Sequence, residues 1–241
     1  MKIIDSISRE IKKIKELPRG KKLGYIYDYY KWPIFITVFL VVSIIATAIS
    51  IANEKEVVLS GYLFDSYYDI EQDEPFFDFL SYAGLDVDKE TTEFIANVQL
   101  YGMYAETSQQ FYATVAAGHT DLAVFNPQSF LRFSYETFTY LYDLREILTP
   151  QQLEQLSGRL FYVDASMIDQ LDRMEGTIQV PDHDKPETMK DPVPVGIDIR
   201  GGRGVDAHYL GDEPVFITFV NNAPHLDMII EFLRYLNIGL T

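Results

Sequence analysis

The chain has 241 residues, with 20 basic against 36 acidic side chains and a formal charge of −16. Apolar residues make up 47%, too many for a disordered chain and enough to core one or two domains. So acidic a chain is a poor general nucleic-acid binder, because neutralising phosphates takes a basic surface, and without cysteine it forms no disulfide, thiolate metal site or cysteine nucleophile.

The charge is divided between two poles. Residues 1–31 hold nine Lys and Arg against four acids, a net +5, which leaves −21 on the remainder. In this arm Ile3, Ile4, Ile7, Ile11, Ile14 and Leu17 recur at helical spacing among lysines, and Pro18 ends the pattern. Two roles fit it: a basic amphipathic helix lying on an anionic membrane face, or a flexible basic stop signal that fixes topology. Tyr25, Tyr27, Tyr29, Tyr30 and Trp32 follow, rings with a polar edge that prefer the headgroup level of a membrane.

Pro33 to Ala52 is then twenty residues without a charge, a run that as a helix reaches about 30 Å and matches a bilayer's hydrocarbon core. A soluble core helix is rarely apolar on every face over such a length. The run is also longer than the apolar stretch of a cleaved signal peptide and begins after 32 residues, so an uncleaved signal anchor is expected. Seven of the nine basic residues lie within about twenty residues of Pro33, and Asn53-Glu54-Lys55-Glu56 follows on the far side. The positive-inside rule therefore predicts a single-pass protein of the cell membrane, with a cytoplasmic arm (1–32), a transmembrane helix (33–52) and an extracytoplasmic domain (53–241). Ser43, Thr47 and Ser50 form a small-residue stripe that suits a partner helix.

Beyond the span, short apolar runs alternate with helical patterns. Strands are expected at Val57–Phe64, Phe94–Met103, Asp121–Phe125, Phe161–Val163, Pro194–Ile199 and Pro214–Val220. Helices are expected at Glu74–Ala83, Thr107–Ala117, Gln128–Tyr135, Thr149–Ser157, Ser166–Met174 and from Asn222 to Leu236. Four prolines between 181 and 194 read as an exposed loop. The alternation points to an α/β layer fold, and no period of repetition suggests a solenoid.

Chemical signatures are sparse. Arg200-Gly201-Gly202-Arg203-Gly204 is a basic, glycine-rich turn in an acidic domain; it suits a carboxylate or phosphate, or is an ordinary loop between strands. Asp65, Asp69, Glu71, Asp73 and Glu74 offer oxygen ligands, but not at EF-hand spacing, and read as a solvated acidic face. Asp182-His183-Asp184 reads as a polar loop, and His119, His208 and His225 lack the spacing of a zinc site. There is no G-x-S-x-G or H-E-x-x-H, so neither an enzyme nor a cofactor is expected. The 33 Tyr and Phe residues suit a core, a ligand cleft or a protein-facing surface alike.

Three stretches carry a resemblance. GHTDLAVFNPQSF (Gly118–Phe130) resembles the segment by which solute-binding proteins, of the type 2 periplasmic-binding class, cross between lobes. LYDLREILTPQQLEQL (Leu141–Leu156) is similar to the stretch that follows it, and VFITFVNNAPHLDMIIEFLRYL (Val215–Leu236) to the closing strand and helix of such proteins. The arm with Tyr-Tyr-Lys-Trp before one span is similar to small membrane-anchored proteins of Gram-positive bacteria. The resemblance implies an extracytoplasmic domain that binds a small solute or peptide, with Arg200, Arg203 and Asn126 as candidate ligand contacts. The alternative is a non-catalytic accessory subunit that docks on a membrane transporter or secretion complex. Two departures stand out: the domain is short for a two-lobed protein, and a signal anchor replaces a lipidated cysteine.

Overall fold

A computed structural model describes residues 12, 15–16, 18–67, 76, 78–99, 105–168, 180–209 and 211–240. The chain divides into two units, Met1–Glu54 and Lys55–Thr241. In the first, helix α1 runs unbroken from Arg19 to Ala52, about 51 Å at 1.5 Å per residue. It starts directly after Pro18, and Pro33 lies inside it instead of opening a separate span. Proline removes one backbone donor; nearby, the Thr37 hydroxyl donates to the Pro33 carbonyl at 2.9 Å. Tyr27–Ala52 is long and apolar enough to cross a membrane, and none of its most apolar stretch is buried. That exposure separates it from the core helix of a soluble protein. The expected Ile3–Leu17 helix falls almost wholly outside the described residues.

The second unit is built on one mixed sheet of six strands: β1 (Glu56–Phe64), β2 (Glu90–Val98), β3 (Leu122–Phe125), β4 (Leu160–Asp164), β5 (Pro192–Asp198) and β6 (Phe216–Phe219). Their spatial order is β2-β1-β3-β6-β5-β4. Strand β1 is parallel to both its neighbours, whereas β6 runs antiparallel to β3 and β5, and β4 antiparallel to β5. Seven successive buried residues make β1 a central strand, while β2 at the edge alternates between partly buried and exposed positions.

Alternate residues of each strand feed two cores. Leu59, Leu63, Leu122, Val124, Ile217 and Phe219 face one way, against α2 (Phe79–Tyr82), α5 (Leu144–Ile147), α6 (Pro150–Gln155) and α7 (Leu226–Leu236). Tyr62, Phe64, Ala123, Phe125 and Phe216 face the other, against α3 (Ala105–Ala116) and α4 (Pro127–Glu136). Gly196 in β5 lets α4 dock closely, because a Cβ there would lie 2.4 Å from Cε1 of Phe130.

Several boundaries differ from expectation for local reasons. Strand β2 begins at Glu90, four residues early, because pairing with β1 starts at Glu56↔Glu90 and ends at Phe64↔Val98. Of the expected Glu74–Ala83 helix, residues 74, 75 and 77 lie outside the described set, and the helix seen is Phe79–Tyr82. The proline-rich segment is not all loop: Pro192 and Pro194 stand in β5, with Pro194 buried. Missing N–H groups are tolerated there because β6 pairs only with Ile197 and Asp198, leaving the proline half with β4 alone. Helix α6 opens with a capping box in which Thr149 and Gln152 satisfy each other's backbone N–H groups. Most of the expected Ser166–Met174 helix lies outside the described residues; Ala165–Met167 forms a 3₁₀ turn.

Candidate functional site

The chain leaves β1 for β2 on one side and returns to β3 on the other, so the carboxyl ends of β1 and β3 flank a switch in connection direction. Crevices outside such ends are where open α/β sheets hold ligands. A cavity of about 280 Å³ lies here, with Asp65, Tyr67, Asn126, His208, Tyr209 and Glu213 in its wall. Asp65 directly follows β1 with a left-handed backbone (φ 51°). Asn126 directly follows β3 and caps α4 by accepting the Ser129 N–H at 2.8 Å. The two strand ends are tied together, since Asp65 Oδ2 accepts from Asn126 Nδ2 at 3.2 Å and from the Ser129 hydroxyl at 2.5 Å.

The loop after β5 forms the other wall. The Tyr209 hydroxyl lies 2.9 Å from the Phe64 carbonyl and 3.0 Å from that of Val124, and so latches the loop onto both strand ends. Burial first, then the nearby Asp65 carboxylate, holds this phenol well above its ordinary range, so it stays a donor. His208 is 4% exposed, and its main-chain carbonyl accepts the Tyr67 N–H at 2.7 Å. Its ring packs on Phe76 at 5.8 Å. Buried Nδ1 of His208 has no hydrogen-bond partner, the sole such side-chain atom among the described residues. Burial pushes the pKa of the imidazole down, against a smaller upward push from the Tyr67 main chain beside the ring, and so favours the neutral ring.

This has a consequence for stability. An unfolded histidine titrates near 6.5, and the folded one lower, so the unfolded chain takes up the proton first as pH falls. Stability is therefore full above the unfolded value and declines from there through the folded pKa. Urea midpoints between pH 7.5 and 5 should fall less steeply in His208→Phe than in the parent chain; parallel curves would mean that His208 titrates as in the unfolded state.

The three candidate contacts do not share one site. Asn126 lines the crevice just described. Arg200 is spent on its own turn: its guanidinium holds Asp198 at 2.9 Å and the Asp212 carbonyl at 2.7 Å. Arg203 lies in a second, open cavity of about 480 Å³ with Tyr82, Arg234 and Tyr235. There it stacks over the Tyr235 ring at 5.1 Å and faces Asp78 at 3.6 Å, while Arg234 pairs with Glu231 at 3.0 Å. The glycines of this turn serve its backbone, with Gly201 and Gly204 left-handed and Gly202 too close to the Ile199 carbonyl for any side chain.

Other sequence candidates have structural employment. Asp182 pairs with Lys185, and His183 stacks on Phe161 at 4.5 Å. Ser60, Asp121 and His225 meet at the opposite ends of the strands, but not as a nucleophile with its base. Asp121 Oδ2 accepts from the Ser60 N–H at 2.8 Å, the Ser60 hydroxyl being 3.1 Å away, and takes His225 Nδ1 at 2.9 Å, so both side chains converge on the carboxylate. Ser60 is also buried, with its hydroxyl 2.8 Å from the His119 carbonyl. The arrangement is a fastening.

Sequence reading singled out Asn126 and missed His208, Tyr209 and Glu213. In the sequence Asp65 reads as part of a solvated acidic face, of which residues 69–74 lie outside the described set. The available signal was position: the residue after each of two parallel strands, Asp65 and Asn126, marks the crevice.

Comparison with protein-family models, curated proteins and solved structures found no match to this chain. The likeness to solute-binding proteins thus has no relative behind it. Nor is there a second lobe among the described residues, since 55–241 form one unit around one sheet.

Proposed function

We propose that this is a single-pass membrane protein, anchored by α1 with its N-terminus in the cytoplasm, whose outer α/β domain binds a small solute or peptide group. The observation that carries the binding reading is the crevice at the ends of β1 and β3, walled by Asp65, Tyr67, Asn126, His208, Tyr209 and Glu213. Its place outside the carboxyl ends of two parallel strands, where the connection direction switches, is where open α/β sheets hold ligands. The solute sits in an open crevice at the carboxyl ends of two central strands, not between closing lobes. The anchor reading rests on the exposed apolar helix and on the +5 arm before it.

The test is thermal unfolding of the full chain in detergent against amino acids, amines, sugars and phosphates. A ligand at a hundred times its Kd stabilises by about 2.7 kcal/mol. A saturable rise that disappears in Glu213→Trp, where a bulky ring fills the crevice from an exposed position, is the expected result. A flat response to every solute would turn the assignment to the accessory-subunit reading. That reading is favoured by a separate observation: β2 is an edge strand of nine residues with Ile95 41% exposed, an open template for a partner strand.

A further inference from the structure

We infer that the second cavity binds the dianionic phosphate group of a small solute, gripped by paired N–H bonds from Arg203 and flanked by the charge of Arg234. This site is separate from the crevice at β1 and β3 and does not depend on it. The cavity of about 480 Å³ is walled by Tyr82 of α2, Gly201 and Arg203 of the turn after β5, and Arg234 and Tyr235 of α7. Among the described residues of that wall none carries a carboxylate, although the chain beyond residue 31 has a net charge of −21.

Arg203 is held ready for an anion. Its backbone N–H donates to the Leu236 carbonyl at 2.9 Å, which pins the turn to the end of α7. The guanidinium lies over the Tyr235 ring at 5.1 Å and the Tyr82 ring at 6.0 Å, and the two rings meet edge-on at 5.4 Å. Tyr235 is itself fixed, being 2% exposed with its hydroxyl donating to Asp78. Burial first, then Asp78, holds this phenol well above its ordinary range, so it stays a donor. Asp78 in turn faces Nε of Arg203 at 3.6 Å, past hydrogen-bonding distance. The Nε side is thus turned to Asp78, which leaves the two Nη groups, an edge that meets two oxygens of one phosphate in parallel.

Each guanidinium has five N–H donors. Among the described residues Arg203 gives none of them to a hydrogen bond, and Arg234 gives one, from Nη1 to Glu231 at 3.0 Å. An exposed pair three residues apart on a helix is weak and yields to a ligand. The carboxyl end of a helix is its negative pole, but the Arg234 and Leu236 carbonyls there are already taken by the Asn237 and Arg203 N–H groups. A cation would meet two like charges in this wall. A carboxylate matches one guanidinium, whereas a phosphate monoester carries close to two negative charges and three acceptor oxygens, enough for both. Two sources share this chemistry: free inorganic phosphate, and a phosphate monoester.

Calorimetry on the full chain, in uncharged detergent and phosphate-free buffer, takes inorganic phosphate, glycerol 3-phosphate, acetate and glycerol as probes. At pH 7.5 either phosphate should bind saturably, acetate about tenfold or more weaker, and glycerol not at all. The tighter of the two phosphates names the source. Affinity for the ester should fall from pH 7.5 to 5.5, as the dianion takes up its second proton at about pH 6. Arg203→Gln and Arg203→Lys should each weaken the tighter phosphate about tenfold or more, since an ammonium does not replace the fork. Arg234→Gln should weaken it about threefold or more. Both side chains are about half exposed, so near-ultraviolet dichroism should not change. Glu213→Trp, which fills the other crevice, should leave phosphate binding as it was. Acetate binding as tightly as phosphate, or an affinity flat with pH, would overturn the dianion, and full retention in Arg203→Lys would overturn the paired grip. Phosphate binding untouched by Arg203→Gln, or lost in Glu213→Trp, would move the ligand elsewhere, and no saturable binding by either phosphate would remove the site.

Discussion

Asp121→Ala is expected to destabilise the α/β domain by about 4 kcal/mol, the largest effect of any single truncation in its polar interior. The carboxylate is fully buried and accepts hydrogen bonds from the Ser60 N–H, from the His225 N–H at 2.9 Å and from His225 Nδ1. Ser60 lies in β1, Asp121 leads into β3 and His225 precedes α7, so one side chain fastens two central strands to the closing helix. Alanine would strand one buried and one half-buried backbone donor and leave the imidazole without its partner. Breaking a buried charged network in this way costs roughly 3–5 kcal/mol. For a domain of this size each kcal/mol lowers the midpoint by about 2–4 °C, so calorimetry should show a drop on the order of 10 °C. Asp121→Asn keeps the shape and one good acceptor but sets an amide N–H₂ against a donor, and should fall between. A midpoint within about 2 °C of the parent would mean that water or a shifted His225 replaces the carboxylate, and the fastening would be no such thing.

That fastening also indicates what can be read from the residues alone. Strands β1 and β3 and helix α7 lie within a few residues of expectation, because each bears a strong signal: an unbroken apolar run, or a helical stripe of Ile229, Phe232, Leu233 and Leu236. Edges were harder. The start of β2 is set by where its neighbour β1 begins, and the prolines of β5 are permitted by the shortness of β6. Neither fact is local to the segment concerned. The same distinction separates the parts of the crevice. Asp65 and Asn126 follow strands visible in the sequence, and Asn126 stood out. Tyr209 closes onto Phe64 across 145 residues of chain, and no spacing announces that meeting. His208 looked like one more isolated histidine, since its lack of a partner is a property of packing. Arg200 misled for the converse reason: a guanidinium near glycines resembles an anion site until Asp198, two residues away, is seen to take it.

Arginines at both Val41 and Val42 should abolish stable membrane association of the full chain. These positions lie near the middle of the apolar stretch Tyr27–Ala52, where both side chains are exposed along α1. At the centre of a spanning helix each arginine costs about 2.5–3.5 kcal/mol on insertion scales, so the pair opposes insertion by roughly 5–7 kcal/mol. A helix of 34 residues has no spare apolar run to slide into place: upstream lie Arg19, Lys21, Lys22 and Lys31, and Asn53-Glu54-Lys55-Glu56 bounds the other end. The parent chain should remain with membranes through an alkaline carbonate wash, and the variant should be released or degraded. If the N-terminus is cytoplasmic, as the +5 charge before the span predicts, protease added from outside should reach Lys55–Thr241 in the parent while the basic arm stays protected. Mass measurement of the mature chain supplies the decisive alternative. A product beginning just past Ala46, Ala48 or Ala52 would make α1 a cleaved signal, the carbonate wash would then release the parent too, and the crevice would belong to a secreted domain without an anchor.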